Sequence, residues 1–418
     1  MGTFTCFKDM PGFLVGMTTS PELQPVFGMI EVKAELAGRS VYLAGETLEC
    51  LITFTNVGRP KLSSPGKPRS AKMAWASAQI HCQCSVSETR VNLPPTPQLT
   101  SSEVTTTGKE TSFIPSKGEK GSTILSTRPT ILFCDLKLAH GESRTYTYRE
   151  TIPIDAPPSF RGSSVKYSYK ITIGTQRFDC PTKLLRVPFR VLVVPGLNDV
   201  SVYNEAEEMA PANPFLAHQR KENSLLDVAL DVLQTITCRK GTNYYNITNS
   251  RGKVGRFCLF KQAYRIGDDI VGTFDFSSGT VPCVQYSVTL QSEEQISEEC
   301  RKKASQGTTI TSYSSHHECC LHTQKTHINI PIPLTATPGF MTDLVCLRWR
   351  LHFEFVTATK PLQEMTPASD PGEDIMWQAQ SDIEVETMIW DLPIKVFSTN
   401  PLYASGVSLL QSESHTFI

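Results

Sequence analysis

Val41-Tyr42-Leu43-Ala44-Gly45-Glu46-Thr47-Leu48 comes back as Ala263-Tyr264-Arg265-Ile266-Gly267-Asp268-Asp269-Ile270, and the spacing of 222 residues (from 42 to 264) persists to the pair Phe54 and Phe276. Further motifs recur in the same order. Ile152-Pro153-Ile154 reads again as Ile330-Pro331-Ile332. Pro158-Ser159-Phe160 follows against Pro338-Gly339-Phe340, and Tyr169 meets Trp349 nine residues past each Phe. Val187-Pro188-Phe189-Arg190-Val191 then matches Leu392-Pro393-Ile394-Lys395-Val396. Motifs repeated in one order mark a tandem duplication.

Around these motifs the apolar period is two. Ile30, Val32, Ala34 and Leu36 alternate with polar residues, as do Leu48, Cys50, Ile52 and Phe54. The same holds for Val165, Tyr167, Tyr169, Ile171 and Ile173, for Val284, Tyr286, Val288 and Leu290, and for Leu347, Trp349, Leu351, Phe353 and Phe355. Successive strand residues face opposite sides, so each run has one buried and one wet face. Antiparallel sheets packed face to face follow. The expected fold is all-β: two tandem sandwich lobes of seven or eight strands each.

Tyr-x-x-Gly-Glu/Asp reads as a turn in which Gly takes a backbone angle other residues resist and the acid stays in water. Pro153, Pro188, Pro331 and Pro393 each remove a ladder donor, which marks strand entrances or sheet edges. Between the repeats, Asn223-Ser224 caps a helical period through Leu225, Leu226, Val228, Ala229, Leu230, Val232, Leu233 and Ile236. That apolar face meets either the protein's own core or a partner. The expected organisation is an extension over 1–28, a first lobe over 29–196, a linker with its helix over 197–237, a second lobe over 238–399 and a disordered tail over 400–418. Segments 94–128, 300–315 and 360–384 read as loops.

With 418 residues, 39% of them hydrophobic, the chain suits two packed domains. A net charge of −1 argues against a nucleic-acid binder. No apolar run approaches the roughly 18 residues that span a bilayer. The first 28 residues lack the basic start and apolar stretch of a secretory signal. The thirteen cysteines sit mostly singly in apolar segments (Cys50, Cys134, Cys258, Cys283, Cys346), the pattern of reduced, buried thiols in the cytosol.

The sequence holds no Gly-x-Ser-x-Gly elbow, phosphate loop, His-Glu-x-x-His or dinucleotide fingerprint. The one metal candidate is His316-His317-Glu318-Cys319-Cys320-Leu321-His322, with His81, Cys82 and Cys84 as partners. Adjacent cysteines in a strand point to opposite faces, which disfavours zinc. No catalytic, cofactor-binding or metal residue is therefore assigned, no cofactor is expected, and no partner-binding residue can be named. Two stretches carry only positive charge: 57–87 with Arg59, Lys61, Lys67, Arg69 and Lys72, and 239–267 with Arg239, Lys240, Arg251, Lys253, Arg256, Lys261 and Arg265. They are either solvated faces or anchors for anionic lipid head groups, each cation near a charged leaflet being worth about 1 kcal/mol.

The two-lobe plan with Tyr-x-x-Gly-Glu near the start of each lobe resembles the arrestin superfamily. Longer stretches carry a narrower resemblance. They are Trp75–Gln83, Pro157-Pro158-Ser159-Phe160-Arg161-Gly162, Arg251-Gly252-Lys253-Val254-Gly255, Leu347–Val356 and Trp390–Val396. These are similar, over roughly residues 29–400, to the Rgp-one family of retrograde Golgi transport proteins. The resemblance implies a non-catalytic subunit paired with a larger Ric-one-type subunit. Together the pair would be the nucleotide exchange factor for the Golgi GTPase Rab-six, in endosome-to-Golgi and intra-Golgi retrograde transport. It implies a cytosolic protein recruited peripherally to the Golgi membrane, with no nucleic acid among its partners. The alternative is an arrestin-domain cargo or ubiquitin-ligase adaptor, although neither Pro94-Pro95 nor Pro157-Pro158 continues into Pro-Pro-x-Tyr. An edge strand of either lobe would suit the flexible segment ahead of the GTPase's lipid anchor.

Overall fold

A computed structural model of the chain describes residues 30–58, 70–92, 117–178, 180–196, 224–362, 382–406 and 413–417. Residues 1–28, the cations Arg59 to Arg69 and most of the loop segments 94–128 and 360–384 lie outside these.

The first lobe is two sheets. One runs β21-β1-β3-β7, with β1 Ile30–Leu36, β3 Thr47–Asn56, β7 Ser143–Thr151 and β21 Glu413–Phe417. The other runs β2-β10-β9-β4-β5, with β2 Val41–Leu43, β10 Lys183–Leu192, β9 Val165–Gln176, β4 Ala71–Val86 and β5 Ser122–Ser126. In it β6 (Thr130–Leu138) also pairs with β4 and β8 (Phe160–Arg161) with β9. The second lobe repeats the plan. Its smaller sheet is β11-β12-β14-β17, with β11 Asn243–Asn249, β12 Gly252–Leu259, β14 Asp269–Asp275 and β17 Lys325–Pro331. Its larger sheet is β13-β20-β19-β15-β16, with β13 Ala263–Arg265, β20 Val385–Phe397, β19 Val345–Ala358, β15 Cys283–Ile296 and β16 Thr308–Cys319, while β18 (Phe340–Met341) pairs with β19. Sheets of 4 and 7 strands, then 4 and 6, exceed the expected seven or eight per lobe. Strands as short as β2, β8, β13 and β18 show no period to read.

The duplication is physical. Tyr42 and Tyr264 stand on β2 and β13, and each hydroxyl donates to the carbonyl three residues back, Arg39 O at 2.9 Å and Lys261 O at 2.6 Å. Gly45 and Gly267 take φ of 88° and 89°, the left-handed region that a β-carbon resists. The structure departs from the sequence pattern at two points. The Ile152 N–H donates to Glu46 O at 2.9 Å, and the bond in the same place in the second lobe is Ile332 N–H to Asp268 O at 3.0 Å. The counterpart of Ile152-Pro153-Ile154 is therefore Ile332-Pro333-Leu334, two residues beyond Ile330-Pro331-Ile332. A slip of two leaves every side chain on its own face, so the apolar pattern cannot detect it. Glu46, expected in water, is buried: it accepts from Leu43 N–H at 2.6 Å and pairs with Arg39 at 2.7 Å.

The alternating runs point inward as read, except Val284, which a register shift between Cys283 and Gln285 displaces from the core. Helix α1 (Leu225–Thr237) starts at Ser224, whose hydroxyl accepts from Asp227 N–H in a capping box. It buries Val228, Ala229 and Leu233 in the second lobe's core, so its apolar face meets the protein itself. Three segments read as unstructured hold regular structure, the first being 94–128, where Ser122–Ser126 is the strand β5. Thr308–Cys319 is the edge strand β16, whose Thr-Thr-Ile-Thr start favours extended backbone. Beyond 399 the tail forms α2 (Pro401–Gly406) and β21.

Candidate interaction surface

The lobes share a packed junction. Ile296, Cys300, Val345 and Leu347 of the second lobe join the first lobe's core, while Val41, Leu43, Leu192 and Val194 join the second's. At its centre Glu294, buried on β15, accepts from the N–H groups of Ser163 (2.7 Å), Ser164 (2.9 Å) and Val165 (3.1 Å) and from the Ser163 hydroxyl (3.0 Å). Arg190 reaches across to Leu334 O at 3.1 Å and Ala336 O at 2.6 Å. The sequence held one clue: Glu294 shares the inward parity of Tyr286, Val288, Leu290 and Ile296. Beside the junction lies a cavity of about 820 Å³ lined by Ile154, Pro157, Tyr167, Val194, Phe340 and Met341.

The metal candidates are not brought together. His81 lies fully buried in the first lobe, between Thr172 Oγ1 at 3.1 Å and Glu119 Oε2 at 3.3 Å. His316 and Glu318 lie on β16 of the second lobe, where Tyr286 donates to Glu318 at 2.7 Å. Cys319 is exposed and Cys320 buried, on opposite faces as the strand period requires. No group of three potential ligands converges among the described residues. The twelve described cysteines are free thiols. Burial pushes Cys50 and Cys82 up to about 12 and Cys84 to about 11, so all three stay protonated and inert. Cys134, read as buried, is exposed, and Cys346 is half-buried.

Glu119 is the acid at the centre of a cationic cluster that the sequence did not reveal. It pairs with Lys170, and Arg186 stands 3.4 Å away. Burial opposes its ionisation, but Lys170, His81 and Arg186 outweigh burial and hold its carboxyl below the usual range. Burial also lowers the His81 pKa, with Glu119 opposing.

The basic stretch 239–267 divides. Arg251 pairs with Glu386 at 3.2 Å and Arg265 with Asp268 at 3.5 Å, so these two are neutralised. Arg239 lies over the Phe260 ring at 5.0 Å and Arg256 over Tyr244 at 5.8 Å, on the outer face of the smaller sheet. There a cavity of about 510 Å³ also takes in Lys325 and His327, with Asp275 across the register from Arg256. Hydrogen bonds from Ser277, with help from Lys325 and Arg256, keep the Asp275 carboxyl below its ordinary range. Lys240 and Lys261 instead turn to the flank where α1 ends and meet Lys395 around a cavity of about 810 Å³. Among the described residues no acid lines it.

The prolines fall where strands lack neighbours. Pro331 closes β17, an edge strand, and Pro153 follows β7, another. Pro188 and Pro393 are inside strands, but Arg190 N–H donates to Ser40 O and Lys395 N–H to Gln262 O, away from β9 and β19. By the two-residue period the nitrogens of Pro188 and Pro393 point the same way. They cost no bond in the ladder.

These features define a two-lobed all-β scaffold whose chemistry lies in charged surfaces and open strand margins. The Rgp1 family pattern matches residues 98–201 and 197–358, and the chain belongs to that family. It is similar to the human protein named RAB6A-GEF complex partner protein 2, 48% identical over 384 residues, covering 90% of this chain and 97% of the relative. The bovine protein of the same name is 47% identical over 374 residues, covering 88% and 93%.

Proposed function

We propose that the chain is the non-catalytic, arrestin-like subunit of a heterodimeric guanine-nucleotide exchange factor for the Golgi GTPase Rab-six. It works with a Ric-one-type large subunit in retrograde endosome-to-Golgi and intra-Golgi transport. The observation that carries this is identity near one half across almost the whole length of two relatives named as partner proteins of a RAB6A exchange complex. Prising GDP from a GTPase takes surface complementarity and no covalent step, which suits a junction as tightly hydrogen-bonded as that around Glu294. The reading includes a cytosolic protein recruited to the Golgi membrane, where Arg239 and Arg256 supply charge for anionic head groups. It also includes capture of the flexible segment ahead of the GTPase's lipid anchor by an open strand margin.

The test is GDP release from RAB6A with this chain, with the large subunit, and with both. Acceleration only by the pair is expected. Full acceleration by this chain alone, or none by the pair, overturns the reading. Replacing the RAB6A tail with that of another Rab slows exchange by the pair if the tail is captured; an unchanged rate removes that part.

A further inference from the structure

We propose that the open margin of β20, residues 385–393, accepts an extended, acidic segment of the partner subunit as an added β-strand. The proposal rests on the reading that this chain works in a two-subunit complex. β20 is 13 residues long, yet its second neighbour β13 covers only Lys395, Val396 and Phe397. Its pairing with β19 runs without a register shift from Ile394 back to Val385. Since Lys395 N–H points away from β19, so do the N–H groups of Asp391, Ile389, Thr387 and Val385. Among the described residues no strand pairs with them on that side.

Other sheet edges are defended in the ways edge strands usually are. β11 and β16 carry register shifts, β7 carries Arg144, Arg149 and Glu150, and β17 carries Lys325, His327 and Pro331. From Val385 to Leu392, short of Pro393, the β20 margin has no shift, no proline and no lysine, and it exposes Val385 and Ile389. Its two acids are already satisfied, Glu386 by Arg251 at 3.2 Å and Asp391 by Arg350 at 3.1 Å.

Side-chain chemistry sets the occupant. Lys240, Lys261 and Lys395 surround the cavity where β20 leaves β13, and no acid lines it among the described residues. An incoming strand therefore carries acidic residues at the end beside Pro393–Lys395 and apolar residues opposite Ile389 and Val385. Main-chain bonds hold it and the lysines select it.

Strand direction supplies a selective test. Ile389→Pro removes an N–H aimed at the open side and leaves the β19 ladder whole, as Pro393 already does. Met388→Pro removes a bond to β19. Both are co-expressed with the large subunit, alongside Lys240→Glu/Lys261→Glu/Lys395→Glu, and affinity and thermal melting are measured for each. I389P is expected to melt close to the parent and to bind the large subunit roughly ten-fold more weakly or worse. The lysine variant weakens binding in the same direction, and parent binding falls as salt rises. M388P should lose the lobe's melting transition. Should I389P also unfold, the lysine variant, altered only at solvated side chains, decides. Unchanged affinity in the folded variants overturns the proposal, as does an intact complex whose exchange on RAB6A alone is slowed, since the margin would then serve the GTPase. A parent complex that forms but exchanges nothing sinks the functional reading and leaves this one standing.

Discussion

Five positions that the registers make equivalent are filled very differently in the two lobes. Where the first has Ala34, Ile52, Ala78, Ile173 and Leu185, the second has Phe257, Phe274, Val288, Phe353 and Trp390. In the second lobe Phe353 stacks on Trp390 at 4.6 Å and meets Phe257 edge-on at 5.1 Å. The first lobe puts its rings elsewhere, in the Phe54, Phe133 and Tyr146 group with centroids 5.0 to 5.9 Å apart. One ladder pattern thus holds with two core volumes, because registers and turns are repeated while side chains need only fill the space between the sheets. The lobes should consequently answer to truncation unequally. Phe353→Ala should cost about 3–5 kcal/mol and lower the second lobe's melting temperature far more than Ile173→Ala lowers the first's. Calorimetry of both variants checks this, and equal losses would break the contrast.

What joins the lobes should matter nearly as much. Glu294→Ala leaves the N–H groups of Ser163, Ser164 and Val165 without this acceptor, and each of the two buried ones, at Ser164 and Val165, costs about 1–3 kcal/mol. Two separated melting transitions are expected in place of a shared one. Glu294→Gln keeps one acceptor oxygen and should fall between. A single unshifted transition in E294A would mean the lobes are coupled by their apolar contacts alone.

Ladder parity, the tyrosine turns and the capped helix were legible because each is local: a period of two, a glycine three residues past a tyrosine, Ser224 three before Asp227. Glu294, Glu119 and the lysine triad were not, since each depends on residues distant in sequence, such as Ser163 and Glu294 or Glu119 and Lys170, meeting across a sheet or a junction. The misplaced Ile-Pro-Ile repeat shows the intermediate case, in which the local pattern is right and the register between lobes is not. The mistaken tail has the same cause, because β21 is defined by its partner β1 and hardly at all by its own residues.

The lobes also diverge at one polar site. His81 and Lys170 of the first lobe take the places of Gln291 and Arg350 in the second, where Arg350 donates to Gln291 at 3.0 Å. The His81 pKa is lowered from 6.5 by burial, so below that pH the unfolded chain takes a proton the folded lobe resists, and stability falls. The cations and groups facing it, Lys170, Arg186, Thr172 and Glu119, all belong to this lobe. Glu119, held below 4.5, adds stability that is present above that value and lost as pH drops through its folded pKa. The first lobe should therefore lose melting temperature on acidification from pH 7 to 5, and His81→Gln, the second lobe's residue, should flatten that slope. A slope that persists in H81Q would assign it to other groups.

The smallest effect concerns how each lobe completes its smaller sheet. In the second, β11 precedes β12 directly and pairs along its whole length. In the first, the same place beside β1 is taken by β21, from the far end of the chain, over five residues from Glu31↔Phe417 to Glu35↔Glu413. A hairpin neighbour is held at high effective concentration, whereas a distant segment must close a long loop before its few bonds form. β1 meanwhile pairs with β3 along all seven of its residues and buries Ile30, Val32, Ala34 and Leu36, so it is anchored in the first lobe by its other neighbour and its own apolar face. Truncation after Gly406 should then cost about 1 kcal/mol or less, a shift of a few degrees confined to the first lobe. Hydrogen exchange should quicken at the β1 amides that face β21 and stay slow at those facing β3. Removing β11 should unfold the second lobe, and a first lobe that likewise failed to fold without β21 would erase the distinction.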